Sequence, residues 1–326
     1  MNMDTQKNIY VKNGGGQKMA RKRKTSMKKI LSGTIALIIV VLAGILGTNE
    51  EFVNTVSNTG EQTNSQNEQQ VEFVAQEDLL VDFIDVGQAD SIVVRNQDQV
   101  MLIDAGTNEA GKTVVNYLKN LGITKIDYLI GTHPHEDHIG GLDDVINNFD
   151  IGQIYMPKIE TTTKTFEDVL DAIENKNLTV TAPNKGDKIE IGQAEGEFMT
   201  NSIVDEDNLN VSSLVLRLEF GNTSYLFMGD AEEENEKTIN WPKTDVLKVG
   251  HHGSSTSSSE SFLEQVKPQY AVIMAGKDNS YGLPTQETID KLNNIGSKIY
   301  RTDEDGTIQM TSDGNTIEIK TTNNSK

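Results

Sequence analysis

The chain contains no cysteine in its 326 residues. Disulfides, lipoprotein processing and thiolate ligation of a metal are therefore excluded, which leaves imidazole and carboxylate as the metal-binding side chains on offer. Aromatic residues are also few, with one Trp, nine Phe and eight Tyr, a supply that is low but adequate for one core. Basic residues become scarce beyond the N-terminus: nine of the 29 Lys and Arg fall in the first 29 residues, whose one acid is Asp4. The remainder carries 20 basic and 48 acidic groups, a formal charge of −28. Such a surface repels polyanions at long range, so high-affinity DNA binding is disfavoured and at most a weak nucleic-acid contact is expected. No internal repeat is visible.

Charge is missing altogether from residues 30–47, ILSGTIALIIVVLAGILG. At 1.5 Å per residue this stretch spans about 27 Å, enough for a bilayer core. The basic run Arg21 to Lys24, with Lys28 and Lys29, precedes it and would keep the N-terminus in the cytoplasm. The expected organisation is a basic cytoplasmic tail (1–29), a single transmembrane signal-anchor (30–47), a flexible polar linker (48–76) and an extracellular domain (77–322). A cleaved signal peptide, which would release the domain as a secreted protein, is the alternative. The linker assignment rests on the Asn-, Gln-, Thr- and Ser-rich stretch NTVSNTGEQTNSQNEQQ, which has no apolar period.

From Leu79 onward short apolar runs alternate with amphipathic ones. LLVDFID, SIVVR and VMLIDAG read as strands, with a polar turn over 95–99 between the last two. GKTVVNYLKNLG reads as a helix with Val114, Val115 and Leu118 on one face and Gly122 as its stop. IDYLIGTH, IGGLDDVINNF, IGQIYMP and TFEDVLDAIEN continue the pattern. SSLVLRLEF and TSYLFMGD follow, joined by Gly221-Asn222, a two-residue hairpin signal. Helices are expected over 260–266 and 286–294, and the closing strands are TIQM and TIEIK. Strands and helices at this spacing predict a layered α/β (α+β) sandwich.

All five histidines fall in two clusters, THPHEDHIGG (His133, His135, His138) and GHHGSS (His251, His252). Each cluster directly follows an expected strand, where a rigid scaffold presents functional loops. His-x-His-x-Asp-His places two imidazoles on an extended loop and then Asp137 and His138 at a helix start. Neutral imidazoles and carboxylates suit Zn or Mn. Gly140 and Gly141 leave room for the helix to pack close beneath the metal loop.

HPHEDH, followed downstream by MGD and HHGS, resembles the metallo-β-lactamase superfamily. More narrowly, FIDVGQADSIVV, MLIDAG, SSLVLRLEFGNTSYLFMGDAE, DVLKVGHHGSSTS, GKDNSYGLP and RTDEDGTI resemble the hydrolase domain of the ComEC competence (DNA-uptake) family and its stand-alone relatives. The resemblance implies a four-layered αββα sandwich with two divalent metal ions, Zn or Mn, at the loop edge of its sheets. It implies His133 and His135 on the first ion, Asp137 and His138 on the second, Asp230 bridging, and His251 completing the second site, with His252 as the alternative. Asp104 would orient the metal loop from below, although Asp104 and Asp85 also suit plain turns at strand ends. Many superfamily members supply a third histidine to the first ion from between the HxHxDH motif and the bridging Asp. Here that interval has none, and Asn210 or Ser213 is the neutral partner at hand, so the first site should be weaker or more open.

Two cations sharing a hydroxide lower its pKa toward 7, so Asp137 and Asp230, as ligands, would serve catalysis without a separate general base. Lys248, Ser254 and Ser255 flank the cluster; Lys248 is expected to contact a substrate phosphate. Leu283, in YGLP, stands where relatives often carry a histidine. The expected activity is membrane-anchored, extracellular, metal-dependent hydrolysis of a phosphodiester or another small substrate. A lactone or β-lactam hydrolase is the alternative within enzymes, and a non-catalytic metal-binding accessory module of DNA uptake is the alternative outside them.

Overall fold

In the computed structural model, which describes residues 78–200 and 207–323, the first apolar runs form β1 (Leu79–Phe83), β2 (Ile92–Asn96) and β3 (Gln99–Ile103). The turn between β2 and β3 is shorter than the one expected over 95–99. Asn96 pairs directly with Gln99, and Gln97 takes the left-handed backbone (φ 55°) that a two-residue hairpin turn requires. Arg95 stays in the ladder because it reaches the buried Asp82 carboxylate at 3.1 Å.

The chain then alternates. Helix α1 (Gly111–Asn120) leads to β4 (Lys125–Ile130), α2 (Glu136–Ile139) and α3 (Leu142–Asn148) to β5 (Asp150–Tyr155), and α4 (Lys164–Asn175) to β6 (Val180–Thr181). With β14 (Ile308–Ser312) and β15 (Ile317–Thr321) these strands form an eight-stranded sheet in the order β15-β14-β1-β2-β3-β4-β5-β6. The second sheet has the order β13-β12-β11-β10-β9-β8-β7. Its strands are β7 (Lys188–Ile191), β8 (Ala194–Phe198), β9 (Leu216–Phe220), β10 (Thr223–Phe227), β11 (Val246–Lys248), β12 (Tyr270–Ile273) and β13 (Lys298–Arg301). β9 and β10 pair across Gly221-Asn222 as the hairpin signal predicts. Helices α5 (Glu233–Glu236), α6 (Glu260–Val266), α7 (Gln286–Asn294) and α8 (Thr302–Asp305) belong to this half.

The period-two alternation of the strands divides the interior into three cores, and three cores make four layers. In β3, Leu102 packs outward with Val114, Leu118, Leu142 and Phe166 of the flanking helices, while Met101 and Ile103 face the other sheet. In β10, Tyr225 and Phe227 meet them from the opposite side, and Leu226 packs outward with Phe262, Leu263 and Leu292. This is an αββα sandwich.

The single helical run expected over IGGLDDVINNF is split into α2 and α3 at Gly140-Gly141. A Cβ on Gly140 would lie 2.3 Å from Asn108 N, and one on Gly141 would lie 2.4 Å from Ala105 O. Both glycines are thus fixed by the close approach of two backbones under the His-rich loop. Because β3 and β4 run parallel, as do β10, β11 and β12, the C-terminal ends of these strands gather at one edge of each sheet, and the loops leaving them carry the polar residues described next. The expected tail, apolar segment and linker lie outside the described residues; among the described residues no helix is long and apolar enough to cross a membrane.

Candidate metal centre

The loop after β4 is anchored before it presents any ligand. Thr132 donates from both its amide and its hydroxyl to the Asp104 carboxylate, at 2.8 and 2.7 Å. Asp104 follows β3 in a left-handed backbone (φ 58°), and its Oδ2 is also 2.8 Å from His138 Nδ1. With Nδ1 engaged, His138 offers Nε2 to the interior. His135 caps α2, which puts Asp137 and His138 in its opening turn.

From the other sheet, Asp230 follows β10 and donates its amide to Ser213 Oγ at 3.1 Å. His251 and His252 follow β11, both with positive φ (49° and 51°). His252 Nε2 lies 3.1 Å from Asp137 Oδ2 and 3.6 Å from Asp230 Oδ2, and His138 Nε2 lies 3.2 Å from Asp230 Oδ1. One ligand atom from each of Asp137, His138, Asp230 and His252 falls within 4.8 Å of all the others. Beside them His133 Nε2 is 2.9 Å from His135 Nδ1 and 3.9 Å from Asp230 Oδ2.

These residues fit divalent ions on two counts. His138 Nε2 and Asp230 Oδ1 are buried yet make no hydrogen bond, an arrangement that a cation between them would satisfy. The electrostatics agree. Burial depresses His133 and His135 below the ordinary imidazole range, keeping them neutral as ligands must be. Burial opposes charge on His252 and His138 too, but Asp230 with Asp90 lifts His252 to about 10, and Asp230 with Asp104 raises His138 well above its usual value. Asp230, against its own burial, is held well below the carboxylate range by His138 and His252. Positive charge is thus favoured at this point of the fold, and a metal ion would supply it in place of protons.

The cluster lies at the base of an open cleft of about 540 Å³, lined in part by Gln88, Thr107, Tyr281 and Leu283. Tyr281 is 75% exposed there. Its loop is cross-braced by Asn279, whose Oδ1 accepts from the amides of Tyr281 and Leu283, both at 3.1 Å.

Residues 84–277 match the Metallo-beta-lactamase superfamily. The chain belongs to that superfamily. Within it, the chain is 34% identical over 251 residues to ComE operon protein 3 of Bacillus subtilis, a match covering 70% of this chain and 32% of that protein. Competence protein ComA of Neisseria gonorrhoeae is 31% identical over 245 residues, covering 73% of this chain and 33% of that one. The matched segment thus spans about a third of each relative. Among solved structures, the metallo-β-lactamase-fold protein YhfI of Bacillus subtilis superposes with a TM-score of 0.50 at 10% identity, covering 74% of this chain and 99% of that chain, a likeness of fold.

Against this superfamily arrangement two expectations change. His252, not His251, joins Asp137, His138 and Asp230. His252 is buried, its Nδ1 lying 2.9 Å from Met274 O, whereas the His251 side chain is 25% exposed and its Nδ1 lies 3.1 Å from Glu232 Oε1. The rule that the ligand is the histidine first off the strand fails because both residues sit in a left-handed turn, where order along the chain no longer fixes depth. Lys248, expected at a substrate phosphate, is 1% exposed. Its ammonium pairs with Asp90 and donates to Gly229 O at 2.9 Å, with Asp230 Oδ1 3.9 Å away, and it does not line the cleft. Ser213 is occupied by the Asp230 amide; Asn210 donates through Nδ2 to Glu232 at 3.2 Å, while its Oδ1 is buried without a hydrogen bond. Ser254 is buried, and Ser255 lines a different surface groove.

Sequence reasoning missed Asp90 and Glu232. Asp90 is buried beneath the cluster, its Oδ1 3.4 Å from His252 Nδ1 and its Oδ2 3.8 Å from His138 Nδ1. The signal was faint, since VGQAD places its carboxylate in a glycine-containing loop that leads into β2 and not at the end of a strand. Asp85, by contrast, makes a local turn, accepting from Gly87 N at 3.2 Å.

Proposed function

We propose that the chain is a metal-dependent phosphodiesterase whose dinuclear centre, built on Asp230, holds Zn or Mn. The observation that carries this reading is the convergence of His133, His135, Asp137, His138, Asp230 and His252 at the base of an open cleft. Divalent ions held there would supply Lewis-acid charge and lower the pKa of a bound water. Among the described residues, neither Lys nor Arg lines the cleft, so its walls bring no fixed cation to a phosphate. Asp104 and the Met274 carbonyl hold the rings of His138 and His252 in place, which fixes the ligand nitrogens before substrate arrives. The competence relatives support nucleic acid or its fragments as the substrate class. With −28 outside the N-terminus, short or single-stranded substrates should be handled at least as well as long duplex.

The purified full chain, loaded with Zn or Mn, is expected to hydrolyse bis(p-nitrophenyl) phosphate and to lose that activity to a chelator. Cleavage of a lactone or β-lactam reporter with none of a phosphodiester would move the chain to the alternative hydrolases. Inactivity on all three with metal bound would make it an accessory module.

We further propose that residues 30–47 anchor the chain and that the domain is extracellular, on the strength of the basic flank and the uncharged run. Protease added to intact protoplasts should then remove the domain; cleavage that requires lysis would overturn the topology.

A further inference from the structure

We infer that His251, oriented by Glu232, completes the first metal site together with His133, His135 and Asp230, filling the place left by the missing third histidine. The inference rests on the metal centre proposed above and assigns it two more residues.

Three observations carry it. His251 Nε2 lies 3.9 Å from Asp230 Oδ2, the same separation as His133 Nε2 from that oxygen. Two imidazole nitrogens from different loops thus approach one carboxylate oxygen, and with His135 2.9 Å from His133 they make up the four donors that a closed Zn site takes.

The orientation of the ring is also fixed. Glu232 Oε1 and Thr256 Oγ1 both lie 3.1 Å from His251 Nδ1. Glu232 is itself held by Asn208 at 2.8 Å, Asn210 at 3.2 Å and Thr256 at 2.9 Å. A carboxylate on one ring nitrogen makes the other, Nε2, the lone-pair nitrogen; its neighbour is the Asn210 amide nitrogen at 3.4 Å, a long contact that an ion would displace, and His251 helps to line the cleft. This is the arrangement by which carboxylates orient metal-binding histidines and raise their basicity.

The backbone supplies the third observation. Consecutive side chains of an extended segment point to opposite sides. Here two successive non-glycine residues adopt φ of 49° and 51°, conformations that are sparsely populated and persist where the surroundings over-determine them. Their effect is to bring both rings to one carboxylate, at 3.9 and 3.6 Å. A His251 that merely braced the loop through Glu232 would not need its second nitrogen aimed at Asp230.

The test is metal counting on the full chain, with ion affinities measured by competition against a chelator and the Co(II)-substituted visible spectrum as a second readout. Wild type should bind two ions. His251→Ala should weaken one of them by about 100-fold or more and change one Co(II) band set. Glu232→Gln, which preserves shape, should weaken the same ion by roughly 10- to 100-fold. His252→Ala should weaken the other ion instead. Circular dichroism would show whether each variant is folded, and Glu232→Gln carries the test if His251→Ala is not. Wild-type affinity for both ions in folded His251→Ala or Glu232→Gln would overturn the inference. A wild-type chain that binds one ion would also overturn it while leaving the metal centre standing. A chain that binds none would remove the centre itself.

Discussion

Replacing Asp230 with alanine is expected to empty both metal positions and reduce turnover by about 10³-fold or more, the scale of losing several kcal/mol of charge stabilisation in the transition state. The reason is that Asp230 is the carboxylate shared by everything around it. Its Oδ1 lies 3.2 Å from His138 Nε2, and its Oδ2 lies 3.6 Å from His252 and 3.9 Å from His133. Among the described residues, no other acid of the cluster faces both the His133–His135 pair and the His138–His252 pair. Asp104→Asn supplies the contrast. Asp104 touches His138 only through Nδ1 and holds Thr132, so its loss should weaken metal binding by roughly 10- to 100-fold without abolishing it. Elemental analysis of the two variants, after circular dichroism shows both folded, separates the roles. Unchanged metal content in Asp230→Ala would refute the bridging assignment.

The parts of this centre that were legible in the sequence are those in which chain order and spatial order coincide. The local geometry of HPHEDH is legible because a cap residue followed by a helical turn has one form: His135 leaves the loop, and Asp137 and His138 enter α2. Asp104 and Asp230 were legible for a similar reason, since Asp104 directly follows β3 and Asp230 stands three residues beyond β10, strands whose ends are fixed by their ladders. The alternation that separates Leu102 from Met101 and Ile103, and Leu226 from Tyr225 and Phe227, is equally local, and so is the layering it implies. What could not be read depends on contacts between distant segments. The depth of His252 comes from Met274 and Asp137, far away in sequence. The burial of Lys248 comes from Asp90, which leads into a strand of the other sheet. A lysine beside a metal motif reads as a phosphate ligand from sequence alone because nothing nearby announces its buried partner.

That buried partner makes Lys248 the site of the other large effect. Lys248 is 1% exposed and Asp90 is 2% exposed, and their ion pair joins the two halves of the sandwich beneath the metal cluster. Burial alone would raise the Asp90 carboxyl, but the ammonium of Lys248 and then His252 outweigh it and hold it below its usual range. Lys248→Met removes the ammonium and leaves a carboxylate sealed in the interior beside His252 and His138, and breaking a buried pair by removing one partner destabilises by about 3–5 kcal/mol. An exposed pair such as Lys237–Glu233, at 2.9 Å, should matter far less because its ions stay hydrated when separated. The denaturant midpoint of the metal-free chain should therefore fall sharply in Lys248→Met. It should recover in large part in the double variant Asp90→Asn with Lys248→Met, where no charge is left stranded. Recovery of stability without recovery of metal affinity is the expected pattern. The neutral amide that replaces the Asp90 carboxylate removes the negative charge that lies 3.4 Å from His252 and 3.8 Å from His138 and so weakens the pull on a cation, while the ring of His252 stays on Met274 O. A Lys248→Met chain with wild-type stability and a selectively raised KM for phosphodiesters would instead restore lysine to the substrate, and would mean that the cleft opens deeply enough to reach it.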